Sequence, residues 1–241
     1  MENAMQMKII ATRICHRTGV DIWRSFDSFF DEGRKAKIDR CLQKHQQQRM
    51  MAGDILLHYV LRHELCLDKS KTRVIYSPSG KPALNDWPHL FFNISHSGEW
   101  VAIVLASCEV GIDVEKQDPR FAKLAESILS PSERKTFCGV QDHADFLCRR
   151  WVMKESFVKL MGTGLGFPMT KISFDMISAV DAVTVYEKKC YFCRTYELVR
   201  FKTEEAYPLA VCSESYNFPD EVTILPYNSL LKWAIGTVES E

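Results

Sequence analysis

The longest unbroken apolar run in this 241-residue chain is seven residues, Trp100 to Ala106. A helix that crosses a bilayer needs about 20 predominantly apolar residues, so no segment reads as a membrane span. Seven suit a fully buried strand. A shorter strand signal, Leu90 to Ile94, precedes the run, and another, Val110 to Glu115, follows it. Met1 to Ile10 has no apolar core of signal-peptide length, and a cytoplasmic location is expected.

Charge narrows the partners. Lysine and arginine number 31 and aspartate and glutamate 31, a formal net charge of zero. Such a chain does not present the basic field that binds nucleic acid or an anionic membrane surface. With 46% hydrophobic and 26% charged residues it reads as a globular protein. Its length allows one large domain or two of about 100 to 120 residues, and a faint boundary falls at Ser107 to Glu109. The nine cysteines are an odd number in a chain too large to need a disulfide framework. Reduced core thiols are expected, with Cys190-x-x-Cys193 structural.

Around the apolar strand, Met7 to Cys15 reads as an opening strand and Gly33 to Leu67 as mostly helix. Ser130-Pro131-Ser132-Glu133 has the form of a capping box with proline at the first helical position. Asp145 to Met161 reads as an amphipathic helix closed by Gly162, Gly164 and Gly166. Lys171 to Val211 alternates like several strands, and Ser229 to Ile235 reads as a short last helix.

Three stretches could carry chemistry. In Gly111-Ile112-Asp113-Val114-Glu115, strand alternation puts both carboxylates on one face. A hard divalent cation would relieve their repulsion, and a solvated strand face would explain them equally well. In Trp151-Val152-Met153-Lys154-Glu155-Ser156-Phe157-Val158-Lys159, helical spacing aligns Trp151, Glu155 and Lys159. Glu155 and Lys159 could form a plain surface ion pair. Alternatively Glu155 joins Asp113 and Glu115 around one metal while Lys154 and Lys159 meet an anion. In Asn93-Ile94-Ser95-His96-Ser97-Gly98, hydroxyls, backbone N–H groups and an imidazole follow a strand, an arrangement suited to phosphate oxygens or simply to a turn. Cations at Arg34, Lys35, Lys37, Arg40, Lys44, Arg49 and Lys81 point to a small polyanion, unless they are a solvated face. There is no Walker sequence, G-x-G-x-x-G, G-x-S-x-G or zinc spacing.

Taken in order, Gly80-Lys81-Pro82, Phe92-Asn93-Ile94-Ser95-His96-Ser97-Gly98, Gly111-Ile112-Asp113-Val114-Glu115 and Trp151-x-x-Lys154-Glu155-Ser156-x-x-Lys159 resemble the Sfp-type 4′-phosphopantetheinyl transferases. The resemblance runs from the Arg34 region to the Pro219 region. It implies an α+β fold, a pseudodimer of two similar α+β halves (residues 1–107 and 108–241) forming one catalytic unit with the active site between them. It also implies transfer of the 4′-phosphopantetheine arm of coenzyme A to a serine of an apo acyl, peptidyl or aryl carrier protein. The resemblance further implies dependence on Mg²⁺, or Mn²⁺ in its place, and release of adenosine 3′,5′-bisphosphate. On this pattern Asp113, Glu115 and Glu155 match the metal carboxylates, and Glu155 also the general base, directly or through water. Lys159 matches a pyrophosphate-binding lysine. Lys81, Ser95 and His96 match coenzyme A phosphate contacts, and Arg34, Lys37 and Arg49 basic residues near the 3′-phosphate. Arg34 stands where the best-known member has lysine. The resemblance implies a monomer without nucleic-acid or membrane partners, and Phe121, Leu124 and Met161 are candidates for carrier docking. A coenzyme A-binding protein without transfer activity, or a metal-dependent phosphohydrolase, are the competing readings.

Overall fold

The computed structural model describes residues 5–15, 26–68, 72–164, 166–199 and 205–239. Every residue of the strand Trp100–Ala106 (β5) is buried. Val101, Ile103 and Leu105 enter one core, and Trp100, Ala102, Val104 and Ala106 enter another. A strand covered on both faces gains nothing from polar alternation, which explains the unbroken apolar run.

β5 lies between β1 (Lys8–Arg13) and β4 (Phe91–Ser97), antiparallel to both, and the short β11 (Thr223–Ile224) pairs parallel with β1 at the edge. The second sheet is antiparallel throughout, in the order β6 (Val110–Val114), β10 (Ala206–Ser213), β9 (Lys189–Val199), β8 (Asp181–Tyr186) and β7 (Asp175–Met176). A small ribbon joins β2 (Val74–Tyr76) to β3 (Pro82–Leu84).

One long helix covers each sheet. After α1 (Glu32–Asp39), α2 (Lys44–Leu65) buries Ile55, Leu56, Val60 and Leu61 against the outer face of β5. After α3 (Ala125–Ile128) and α4 (Pro131–Phe137), α5 (His143–Met161) buries Val152, Phe157, Val158 and Leu160 against Ala210 and Cys212 of β10. The inner faces meet in a shared core of Ile9, Ala102, Val104, Ile112, Val114, Leu209 and Val211. The result is helix, sheet, sheet, helix, an α+β architecture of two like halves. Truncating Leu56, wholly buried in the first core, would cost about 2–5 kcal/mol.

The last helix, α6 (Tyr227–Glu239), departs from a strict division at residue 108. Leu225 donates its N–H to Ala11 O at 2.8 Å, and Leu230 and Ala234 complete the first core. The C-terminal segment therefore packs with the first half, because its apolar stripe has a groove beside α2 to fill. The predicted helix over 33–67 is two, broken at 40–43, and the predicted last helix is longer at both ends. The strands expected between 171 and 211 form as β7 to β10, apart from 200–204, which lie outside the described residues. The capping box forms in full: Ser130 Oγ accepts from Glu133 N, and Glu133 Oε2 accepts from Ser130 N at 2.9 Å. Core thiols were expected generally, yet only Cys148, Cys193 and Cys212 are buried. Cys66 and Cys138 instead sit at the C-caps of α2 and α4. No disulfide joins the cysteines, and among the described residues no helix is long and apolar enough to cross a membrane.

Candidate active site

The site begins at a glycine. A Cβ at Gly111 of β6 would lie 2.0 Å from Ser156 O and 2.4 Å from Leu160 N of α5. Only glycine lets the helix backbone approach the strand this closely. The approach sets Glu155 and Lys159 beside Asp113. Lys159 Nζ donates to Asp113 Oδ1 at 2.6 Å and to Ser95 Oγ at 2.9 Å, and Ser95 Oγ donates to Asp113 Oδ1 at 2.9 Å. Glu115 lies one strand repeat further on, where its Oε2 accepts from Ser97 Oγ at 2.7 Å.

These carboxylates are expensive as they stand. Asp113 and Glu155 are 4% and 6% exposed, and Asp113 Oδ2 and Glu155 Oε1 are buried with no hydrogen-bond partner. An unmet buried acceptor costs about 1–3 kcal/mol, more when charged. Burial, then the charge of Asp113, pushes Glu155 up to about 7. Burial raises Asp113 even against Lys159, and burial with Asp113 raises Glu115. Orphaned carboxylate oxygens are the donor set that a hard divalent ion takes, so the residues fit Mg²⁺. Among the described residues no three His, Cys, Asp or Glu side chains form a ready-made metal cluster. The Lys159 ammonium provides the cationic partner of Asp113.

Glu155 opens into a cleft. A cavity of about 260 Å³ is lined by Lys81, Glu155, Lys159 and Gly162 among others. A second, also about 260 Å³, brings together Arg34, Lys37, Arg49 and His96. Both are lined by Gly80, Pro82, Asn93 and Ile94, so the two cavities adjoin, with Arg34, Lys37 and Arg49 in one and Glu155 and Lys159 in the other.

Several of the sequence-predicted residues are already engaged. Arg34 grips Asp54 with two N–H groups at 2.6 and 3.0 Å, a fork that lysine cannot reproduce. Arg49 donates to Gln46 Oε1 at 2.7 Å and to Gly98 O at 3.0 Å. Lys37 is exposed at the rim. Burial, with Arg49 and Lys159 nearby, drives His96 down to about 4, so its imidazole is neutral at physiological pH. Lys81 Nζ spans the cleft to Glu109 and to Leu160 O, the latter at 2.6 Å. Ser95 is buried, and its hydroxyl also accepts from Val114 N at 3.3 Å, which commits it to the floor of the site.

Lys154 corrects the sequence reading. It was expected to meet an anion in the cleft, but it is wholly buried and donates to Ile128 O at 2.6 Å, Glu133 Oε2 at 2.5 Å and Met169 O at 3.1 Å. All three protons are used inside the second half. One helical step turns it away from the face shared by Glu155 and Lys159. The sequence reading also passed over Asp54 and Glu109, the partners of Arg34 and Lys81. Asp54 left one signal, a lone acid among the apolar residues Met50 to Leu57.

Comparisons with known proteins place the chain in a family. The family model of the 4′-phosphopantetheinyl transferase superfamily matches residues 109–212, and that of the 4′-phosphopantetheinyl transferase N-terminal region matches residues 19–109. 4′-Phosphopantetheinyl transferase Sfp of Bacillus subtilis (strain 168) is 33% identical over 86% of this chain and 92% of its own. 4′-Phosphopantetheinyl transferase ffp of Bacillus subtilis is 32% identical over 85% and 91%. The human L-aminoadipate-semialdehyde dehydrogenase-phosphopantetheinyl transferase is 27% identical over 71% of this chain and 61% of that protein. The chain belongs to the Sfp-type 4′-phosphopantetheinyl transferase family. It is a transferase that carries phosphopantetheine to carrier proteins.

Proposed function

We propose that the groove binds coenzyme A with its 3′-phosphate at Arg34, Lys37, Arg49 and His96 and its pyrophosphate near Lys81 and Lys159. The acceptor is a serine hydroxyl of an apo carrier protein. Its oxygen forms a bond to the phosphorus that bears the pantetheine arm. The phosphorus–oxygen bond to the adenosine part breaks, and adenosine 3′,5′-bisphosphate leaves. The observation that carries this reading is a basic pocket adjoining a cavity lined by Glu155, whose Oε1 is buried without a hydrogen-bond partner.

Asp113, Glu115 and Glu155 would hold a Mg²⁺ ion, which when bound neutralises charge on the pyrophosphate oxygens. The chain's own groups supply the rest. Glu155 takes the serine proton, directly or through a water. Lys159 stabilises the departing phosphate. The buried strands beneath fix both groups, so that the protein acts by positioning and charge complementarity. Leu124 is 38% exposed, and Phe121 stacks edge-on against Trp151 at 6.2 Å. With half-buried Met161, these offer an apolar contact for the carrier.

Incubation of an apo carrier protein with coenzyme A, Mg²⁺ and this enzyme tests the reading by mass spectrometry. The carrier gains the mass of the phosphopantetheine arm, in step with release of adenosine 3′,5′-bisphosphate. Release of phosphate without any acceptor protein would support a phosphohydrolase instead.

A further inference from the structure

β4 and β6 are edge strands of different sheets. An uncovered strand edge is a row of unmet donors and acceptors. Here the edge of β6 is met by side chains. Ile112 N donates to Asn93 Oδ1 at 3.0 Å, Val114 N to Ser95 Oγ at 3.3 Å, and Lys116 N to Ser97 Oγ at 3.0 Å. Positions 93, 95 and 97 share one face of β4, and positions 112, 114 and 116 repeat with the same period. The contacts therefore form a ladder that sets the register of one half against the other.

Two rungs also hold carboxylates. Ser95 already has further partners in Asp113 and Lys159. Ser97 is simpler: its hydroxyl accepts from Lys116 N and donates to Glu115 Oε2 at 2.7 Å. Glu115 lies just past the end of β6 and is only partly buried, so its side chain has room to swing toward solvent. The hydroxyl grips the carboxylate and the backbone one residue beyond it.

We propose that Ser97 is a positioning residue for the transfer reaction, holding Glu115 in the orientation that receives the divalent ion. The proposal rests on the reading of Glu115 as a metal carboxylate, and the test separates the two. Mn²⁺ is titrated into wild type, Ser97→Ala, Ser97→Thr, Ser97→Val and Glu115→Ala in the presence of coenzyme A, with free Mn²⁺ followed by electron paramagnetic resonance. Loss of a residue that orients a ligand weakens metal affinity by about 10-fold or more. Ser97→Ala and Ser97→Val are expected to show that loss, and Ser97→Thr, which keeps the hydroxyl, to bind as wild type. In turnover the Ser97→Ala deficit is expected to shrink at saturating Mg²⁺ while KM for coenzyme A stays within twofold. Ser97→Thr and Ser97→Val differ little in shape, so a fold defect in Ser97→Ala leaves the comparison intact. If Ser97→Val binds Mn²⁺ like Ser97→Thr while Glu115→Ala binds poorly, the positioning role is overturned and the metal reading stands. If Glu115→Ala also binds as wild type, the metal reading falls and the positioning role with it.

Discussion

The two walls of the cleft carry opposite charge, and they treat it differently. On the first, the cations bring their own partners: Arg34 has Asp54, and Arg49 has Gln46 and the Gly98 carbonyl. On the second, Asp113 and Glu155 each keep a buried oxygen with nothing to accept from. Burial alone does not explain this. Glu133, equally buried, accepts from Lys154 and Ser130 N on one oxygen and from Phe174 N on the other. The fold can satisfy an interior carboxylate completely, so leaving Glu155 short marks a site and not a packing defect. The cations of the first wall are partnered as they stand, whereas the second leaves an oxygen of Asp113 and one of Glu155 unmet.

The largest effect should come from removing the acidic wall. Asp113→Ala is expected to lower transfer by about 100-fold or more, with the far-ultraviolet circular dichroism of the wild type. Carrier mass gain per unit time measures it. Normal turnover would remove Asp113 from the chemistry.

Next in size is a stability effect of opposite sign. The folded state holds a proton on Glu155 up to about pH 7, whereas an ordinary glutamate releases it near 4.5. This group's contribution is therefore fully present below about pH 4.5 and is lost as pH rises through about 7. Each pH unit of such a difference is worth about 1.4 kcal/mol. In metal-free protein Glu155→Gln should raise Tm at pH 8, by an amount that vanishes toward pH 5. A Tm gain independent of pH would show that Glu155 is not under this strain.

The basic wall should respond more gently and in two ways. Arg49→Ala removes a cation whose partners are neutral, and KM for coenzyme A should rise about tenfold, as for loss of one charge-assisted hydrogen bond. Arg34→Ala leaves Asp54 buried without its counter-ion, so it should also destabilise the fold, by about 3 kcal/mol. Arg34→Lys should recover part of the charge but not the two-pronged contact. Equal Tm for the Arg34→Ala and Arg49→Ala proteins would erase the distinction between the two cations.

How far the sequence could show all this depends on the range of each interaction. Local patterns came through: the seven-residue run became β5, the capping box formed, and the alternation at Asp113 and Glu115 held. Helical spacing aligned Glu155 with Lys159 and the family resemblance chose their role, but they lie next to Asp113 only because α5 crosses Gly111. That crossing depends on residues 45 positions apart and leaves no periodic trace. The return of α6 to the first half is long-range in the same way, and a helical stripe does not announce its docking partner. Lys154 was misread because motif residues adjacent in sequence point about 100° apart on a helix. Asp54 and Glu109 were passed over because each matters only through a partner distant in the chain.

The smallest expected effect tests a cation that bridges the walls. Lys81, on the loop of the first half, donates to Glu109 and to the last-turn carbonyl of Leu160. Glu109 is 41% exposed at the side chain, and ion pairs with so exposed a partner contribute little to stability. Glu109→Gln should therefore leave Tm nearly unchanged. Lys81 would stay anchored by Leu160 O while its charge is no longer offset at the mouth of the cavity it lines. KM for coenzyme A should fall about threefold at low salt, a difference of under about 1 kcal/mol, with kcat unaltered. The gain should fade as the Debye length shortens from about 10 Å at 0.1 M salt to about 3 Å at 1 M. Lys81→Met should move KM the other way. If Glu109→Gln leaves KM unchanged at low salt, Lys81 serves only to cap α5, and the basic wall ends at Arg49 and His96.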